Sequence, residues 1–208
     1  MGKVQMNVNF HFLFLFSVII NIVASGCQSK PAPDYASQYG ECLQAFSQFD
    51  PFDQRDSLNI CLRGAKMPDF SIQDINGKML NASDLKGQVT VINFWSTTCR
   101  PCLAEMPGLN EIVARYKNKP IRFLALTADK KERLEKVFLG KRDFDFELFS
   151  DAHPTISRTF HYEWGLPLTL VFDKNGLFVC WVSGSYDDFR AADAIKEELI
   201  PVLDELLE

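Results

Sequence analysis

The segment Val89–Trp95 (VTVINFW) is a β-rich apolar run, and within a few residues it hands over to Cys99-Arg100-Pro101-Cys102. From there apolar residues recur at helical spacing: Leu103, Met106, Leu109, Ile112, Val113 and Tyr116. A buried strand that feeds a helix is half of an α/β layer. The junction therefore constrains the fold and also places two cysteines at a helix start.

That placement has chemical consequences. Unpaired N–H groups and the helix dipole favour an anion at the N-terminus, so the Cys99 thiol is expected to ionise below the free value of ~8.5. Arg100 adds positive charge beside it. Pro101 is tolerated in a first helical turn, where its missing N–H has no intrahelical partner to lose. Cys102 then stands where it can attack a mixed disulfide formed at Cys99. A zinc site would need two more ligands, and the sequence holds no second CxxC or Cys/His cluster beyond the unplaced His153 and His161. The expectation is no metal and no other cofactor.

The rest of the chain continues the layer pattern. Phe70-Ser71-Ile72 and Lys78-Met79-Leu80 flank Asn76-Gly77, a hairpin signal. Ile121–Leu126 reads as a second buried strand, and Asp129 as the cap of a helix presenting Leu134, Val137 and Phe138. A short strand within 144–149 and a short helix near 155–160 follow. Leu168–Phe172, the turn Lys174-Asn175-Gly176 and Leu177–Val182 form a second hairpin. Asp187 is expected to cap a last helix with Ile195, Leu199, Val202, Leu203 and Leu206 inward. The expected class is α/β, a central mixed sheet flanked by helices. The net charge of −5 gives no basic patch, so nucleic acid is not an expected partner.

The N-terminal region reads differently. Lys3 is the only charge before residue 30, and Phe12–Val23 is an apolar run too short for a comfortable membrane span of ~20 residues. Ala24, Ser25 and Gly26 follow it, and then Cys27. This is the layout of a signal peptide over residues 1–26, with Cys27 as a lipidated first residue. Residues 28–40 read as a tether and 41–62 as a short cap, so the expected division is 1–26, 27–64 and 65–208. Six cysteines are present. With Cys27 lipidated and Cys99 and Cys102 paired chemically, Cys42, Cys61 and Cys180 remain. Cys42 and Cys61 share a small segment that would benefit most from a staple, leaving Cys180 single as a small hydrophobe. Pairing of Cys180 with Cys42 or Cys61 is the alternative.

The motifs Met67-Pro68-Asp69-Phe70, Asn76-Gly77-Lys78, Leu85-Lys86-Gly87, Asn93-Phe94-Trp95, the Cys-x-Pro-Cys sequence and Glu105-Met106-Pro107 together resemble the thioredoxin-like lipoproteins of the TlpA/ResA type. The likeness continues through Gly165-Leu166-Pro167 and Asp173-Lys174-Asn175-Gly176, and so covers nearly all of residues 65–208. The resemblance implies a thioredoxin-like fold and extracytoplasmic thiol–disulfide exchange. Thioredoxins hold a buried acid at the position of Asn93; the family resembled here keeps a Glu on the helix, and Glu105 matches it. Glu105 also lies one turn beyond Cys102, on the same helix face, where a partly buried acid could shuttle a proton. Pro167 matches the cis-proline facing the active cysteines, with Leu166 offering backbone to an extended substrate and Trp95 serving both as core and as a wall beside Cys99.

The partners so implied are exported proteins with disulfides (apocytochrome c among the open substrates), a membrane thiol-electron carrier as reductant, and a bacterial membrane on its periplasmic side. Two rivals remain. A peroxiredoxin-like peroxidase would need Pro seven residues before its Cys and Thr or Ser three before it; Ser96 fits, but position 92 is Ile. A non-catalytic binding lipoprotein would not need both cysteines and Glu105.

Overall fold

The computed structural model describes residues 32–45, 55–162, 165–184 and 186–208. The expected signal segment and Cys27 lie outside the described residues. Helices α1 (Tyr35–Ala45) and α2 (Arg55–Leu62) come first, followed by the strands β1 (Ser71–Gln73) and β2 (Met79–Asn81). Then come β3 (Val89–Trp95), α3 (Arg100–Arg115), β4 (Ile121–Thr127), α4 (Lys131–Val137), β5 (Glu147–Phe149), β6 (Leu168–Phe172), β7 (Phe178–Ser183) and α5 (Arg190–Leu207).

The main sheet has the order β5-β4-β3-β6-β7. β3 runs parallel to β4, and β4 to β5, whereas β6 is antiparallel to β3 and β7 to β6. This is a mixed sheet with β3 in the middle, and every residue of β3 is buried. The two-residue period of the strand explains why so continuous an apolar run suits it. Ile92 and Phe94 join one apolar cluster with α1 and α2, while Val89, Val91 and Trp95 join the other with α3 and α5. The small β1–β2 sheet stands apart, with Ile72 opposite Leu80. Its turn is held by the Asp74 carboxylate, which accepts the N–H groups of Asn76 and Lys78 at 2.8 Å each, and Gly77 supplies φ +89.

Helices α3 and α5 pack closely because of Gly108. A Cβ there would overlap the Ala192 carbonyl oxygen and lie 2.9 Å from its carbon.

Several expectations are corrected. The tether read as ending at residue 40 is helical from Tyr35, and Tyr35 and Tyr39 are each 2% exposed. Their rings stack 5.7 Å apart, and Tyr35 also meets Phe160, Phe172 and Phe178. The cap thus shares its core with the sheet, across the boundary expected at residue 64. It also covers the β7 edge: the Asn59 amide exchanges hydrogen bonds with Trp181 N–H at 2.7 Å and Trp181 C=O at 3.2 Å. Asp129 does not cap α4. The Asp151 carboxylate accepts the Lys131 N–H at 3.2 Å instead, and Val137 faces solvent. Asp188, not Asp187, accepts the first N–H of α5, from Arg190 at 3.0 Å. Leu207 is buried at the end of α5, while Val202 and Leu206 lie only at the margin of the core.

Candidate active site

Strand β3 ends at Trp95, and a short turn carries the chain to Cys99, the N-cap of α3. Strand β3 thus delivers both cysteines to one end of the sheet, and α3 holds them in register. The Cys102 N–H donates to Cys99 Sγ at 3.2 Å, and the two sulfurs are bonded at 1.96 Å. Pro101 occupies the first helical turn. Cys99 is half-buried, whereas Cys102 is only 2% exposed. An attacking partner therefore meets Cys99 first. Arg100 is largely exposed, with its guanidinium 3.5 Å from Asp187 in the turn before α5.

Glu105 is buried one turn behind Cys102, at 2% exposure, and its Oε2 has no hydrogen-bond partner among the described residues. Burial, reinforced by the Glu198 charge, pushes its pKa from 4.5 to about 8. The carboxyl group rests beside Gly184 and Pro167. A Cβ built on Gly184 would overlap Glu105 Oε1 and lie 2.6 Å from Pro167 Cγ. The Leu166–Pro167 bond is cis, Pro167 is buried, and Leu166 is exposed. One cluster thus joins the start of β6, the end of β7 and the first turns of α3.

Asn93 is buried on β3 and donates to Thr169 Oγ1 at 3.0 Å, so a neutral pair fills that part of the core. Trp95, read as core and as a wall beside Cys99, lies in the core. It is 1% exposed, with its ring 4.6 Å from Phe138 and 5.7 Å from Phe144, so it backs the site from within the core.

Two further features escape a linear reading. Gly184 is a lone glycine after a strand, with no local motif. Asp129 bonds to Thr97 across 32 residues, and no spacing rule anticipates such a contact.

Cys42 and Cys61 are bonded, joining α1 to α2 with Cα atoms 6.0 Å apart. Cys61 packs with the apolar cluster on one face of the sheet, and Cys180 with the cluster on the other. Cys180 thus packs with a different cluster from the cap disulfide and is unpaired among the described residues. Burial pushes the Cys180 thiol up to about 11.

Comparison with known proteins gives a consistent result. Residues 63–179 match the AhpC/TSA family, more than half of the 208-residue chain. The chain is 38% identical over 129 residues to the thiol-disulfide oxidoreductase ResA of one Bacillus cereus strain, covering 62% of this chain and 72% of that protein. With ResA of a second Bacillus cereus strain it shares 30% identity over 146 residues, covering 70% and 82%. A crystal structure of a thioredoxin-family thiol:disulfide interchange protein from Chlorobium tepidum TLS superposes with a TM-score of 0.53 at 21% identity, over 64% of this chain and 96% of that one, which shows the shared fold. A mixed five-stranded sheet with a cysteine pair at the start of α3, together with these relatives, identifies the chain as a member of the AhpC/TSA family and a thioredoxin-like, ResA-type thiol–disulfide oxidoreductase.

Proposed function

We propose that the protein reduces disulfides in exported proteins, outside the cytoplasm, while tethered to a bacterial membrane through lipid on Cys27. The observation that carries the mechanism is Glu105, a buried acid one turn behind the less accessible cysteine, with a pKa pushed up to about 8.

In the reduced protein the Cys99 thiolate attacks one sulfur of a substrate disulfide. That S–S bond breaks, a mixed disulfide forms, and the departing sulfur leaves as a thiolate that takes up a proton from solvent. Glu105, when ionised, accepts the proton of the Cys102 thiol. The Cys102 thiolate then attacks Cys99 Sγ and releases the second substrate sulfur, which is reprotonated in turn. Two electrons pass from the enzyme dithiol to the substrate, and the enzyme is left as its disulfide. With its pKa pushed up to about 8, Glu105 is poised to take up and release a proton near neutral pH. A dithiol carrier in the membrane would return the two electrons. Exposed Leu166 beside Pro167 offers backbone for the substrate chain during the mixed-disulfide stage.

The test is reduction of insulin disulfides by the dithiol-reduced protein and its Cys99→Ser and Cys102→Ser variants. Cys99→Ser should be inert. Cys102→Ser should accumulate a mixed disulfide at Cys99. Full activity in the Cys99→Ser variant refutes the assignment.

A further inference from the structure

The turn that carries Cys99 is held from outside its own strand and helix. The Asp129 carboxylate, just beyond β4, accepts the Thr97 N–H at 2.7 Å. Arg133 on α4 donates its Nε–H to Thr97 Oγ1 at 2.7 Å and stands 3.4 Å from Asp129 Oδ1. Thr97 is therefore gripped through its main chain by an anion and through its side chain by a cation. The base of this clamp is itself fixed. Asp129 N–H donates to Thr127 Oγ1 at 3.1 Å, and Asp129 C=O accepts the Asp151 N–H at 2.9 Å. Within the turn, Thr98 N–H donates to Ser96 Oγ at 3.2 Å and Cys99 N–H to Ser96 C=O at 3.2 Å.

We propose that the Asp129–Arg133 ion pair positions the nucleophile and balances charge beside it: Asp129 and Arg133 fix the turn that carries Cys99, and because they are opposite in charge they leave the Cys99 thiolate governed by helix α3. The inference rests on Cys99 being the nucleophile. Asp129 is the acid that can hold Thr97 N–H, yet its charge alone would oppose a thiolate. The carboxylate is hydrogen-bonded two residues before Cys99, and two residues of chain span at most about 7 Å, so the point it occupies on the turn lies within about a Debye length (~8 Å at physiological salt) of the Cys99 backbone. Arg133 offsets that charge without releasing the hydrogen bond. Arg100 follows Cys99 in the chain and pairs with Asp187 from the turn before α5, and Glu105 on α3 is a buried titratable acid one turn behind Cys102. Asp129 and Arg133 are positioning residues, since neither is part of the exchanging sulfur pair.

The test measures Cys99 alkylation against pH in the reduced protein, and the disulfide–dithiol equilibrium in a glutathione buffer. Asp129→Asn keeps an acceptor for Thr97 N–H but removes the anion. It should lower the Cys99 pKa by about half a unit and make the disulfide about threefold easier to reduce. Arg133→Met should shift both quantities the other way, and the double variant should return towards the parent. Arg133→Lys keeps the charge and should hold the parental pKa, which also covers the case in which Arg133→Met does not fold. Raising salt should shrink every shift. Single-variant shifts of the same sign, or none in Asp129→Asn, overturn the proposal. Peptide mapping of the parent separates the underlying reading: if Cys102 alkylates first there, the nucleophile assignment itself fails.

Discussion

Gly184 and Glu105 share one space: the Glu105 carboxyl oxygen occupies the volume that any side chain at 184 would enter, with Pro167 closing the other side. A residue from the end of β7 thus decides whether an acid on α3 can sit beneath the active cysteines. Gly184→Ala should displace the carboxyl group or Pro167, and overpacking of this kind costs about 2 kcal/mol. Thermal unfolding should register the loss, and the pH profile of insulin reduction should change shape. A variant with parental stability and an unchanged profile would mean that the cluster yields freely.

Glu105→Gln should slow disulfide exchange on the order of 10²-fold, the range for loss of a proton-transfer group, without unfolding the domain. The parental rate should rise with pH as the acid ionises towards about 8. The variant should lose the part of the rise that follows Glu105, keeping only that of the thiols. Stopped-flow exchange between pH 6 and 9 distinguishes them, and equal rates throughout would remove Glu105 from the mechanism.

The same acid imposes a pH dependence on stability. Unfolded, it loses its proton near 4.5; folded, it keeps it until about 8. The folded state binds more protons at this group across that window, so its contribution to stability is fully present below 4.5 and falls as pH rises to about 8. Glu105→Gln removes that slope. Denaturant melts should show the variant gaining on the parent by roughly 5 kcal/mol at pH 9 compared with pH 4.

The Cys42–Cys61 bond closes a loop with a sequence separation of 19. Replacing both residues by Ala should cost on the order of 3 kcal/mol, as expected for a cross-link of this span. The Cys99–Cys102 pair should still exchange. Peptide mapping of the non-reduced protein should find Cys180 unlinked, and a linked Cys180 peptide would contradict its packing in a different cluster from the cap disulfide.

Cys27→Ser should move the mature protein from the membrane fraction to the soluble extracytoplasmic fraction, because stable attachment then has no acyl chains to rely on. Fractionation with immunodetection checks this, and retention on the membrane would point to an uncleaved apolar anchor.

Local patterns determined a large part of this protein. A run such as Val89–Trp95, the 3.6-residue spacing after Cys102 and the Asn76-Gly77 turn carry their own geometry, so β3, α3 and the β1–β2 hairpin follow from neighbours in the chain. The placement of a cysteine pair at a helix start is local for the same reason. Where the reading failed, distant partners outweighed local preference. Asp129 stands at a helix start, yet its carboxylate goes to Thr97, and Asp151 takes over the helix. Tyr35 and Tyr39 look like tether until the aromatic cluster under the sheet takes them in.

Only the tertiary structure decided the depth of Glu105, the vacancy at Gly184 that it fills, the Asn59 amide closing the β7 edge, and the side of the sheet on which Cys180 lies. Each depends on segments far apart in sequence meeting at hydrogen-bond or van der Waals distance. Such meetings are set by how the layers pack, which no spacing within one segment encodes.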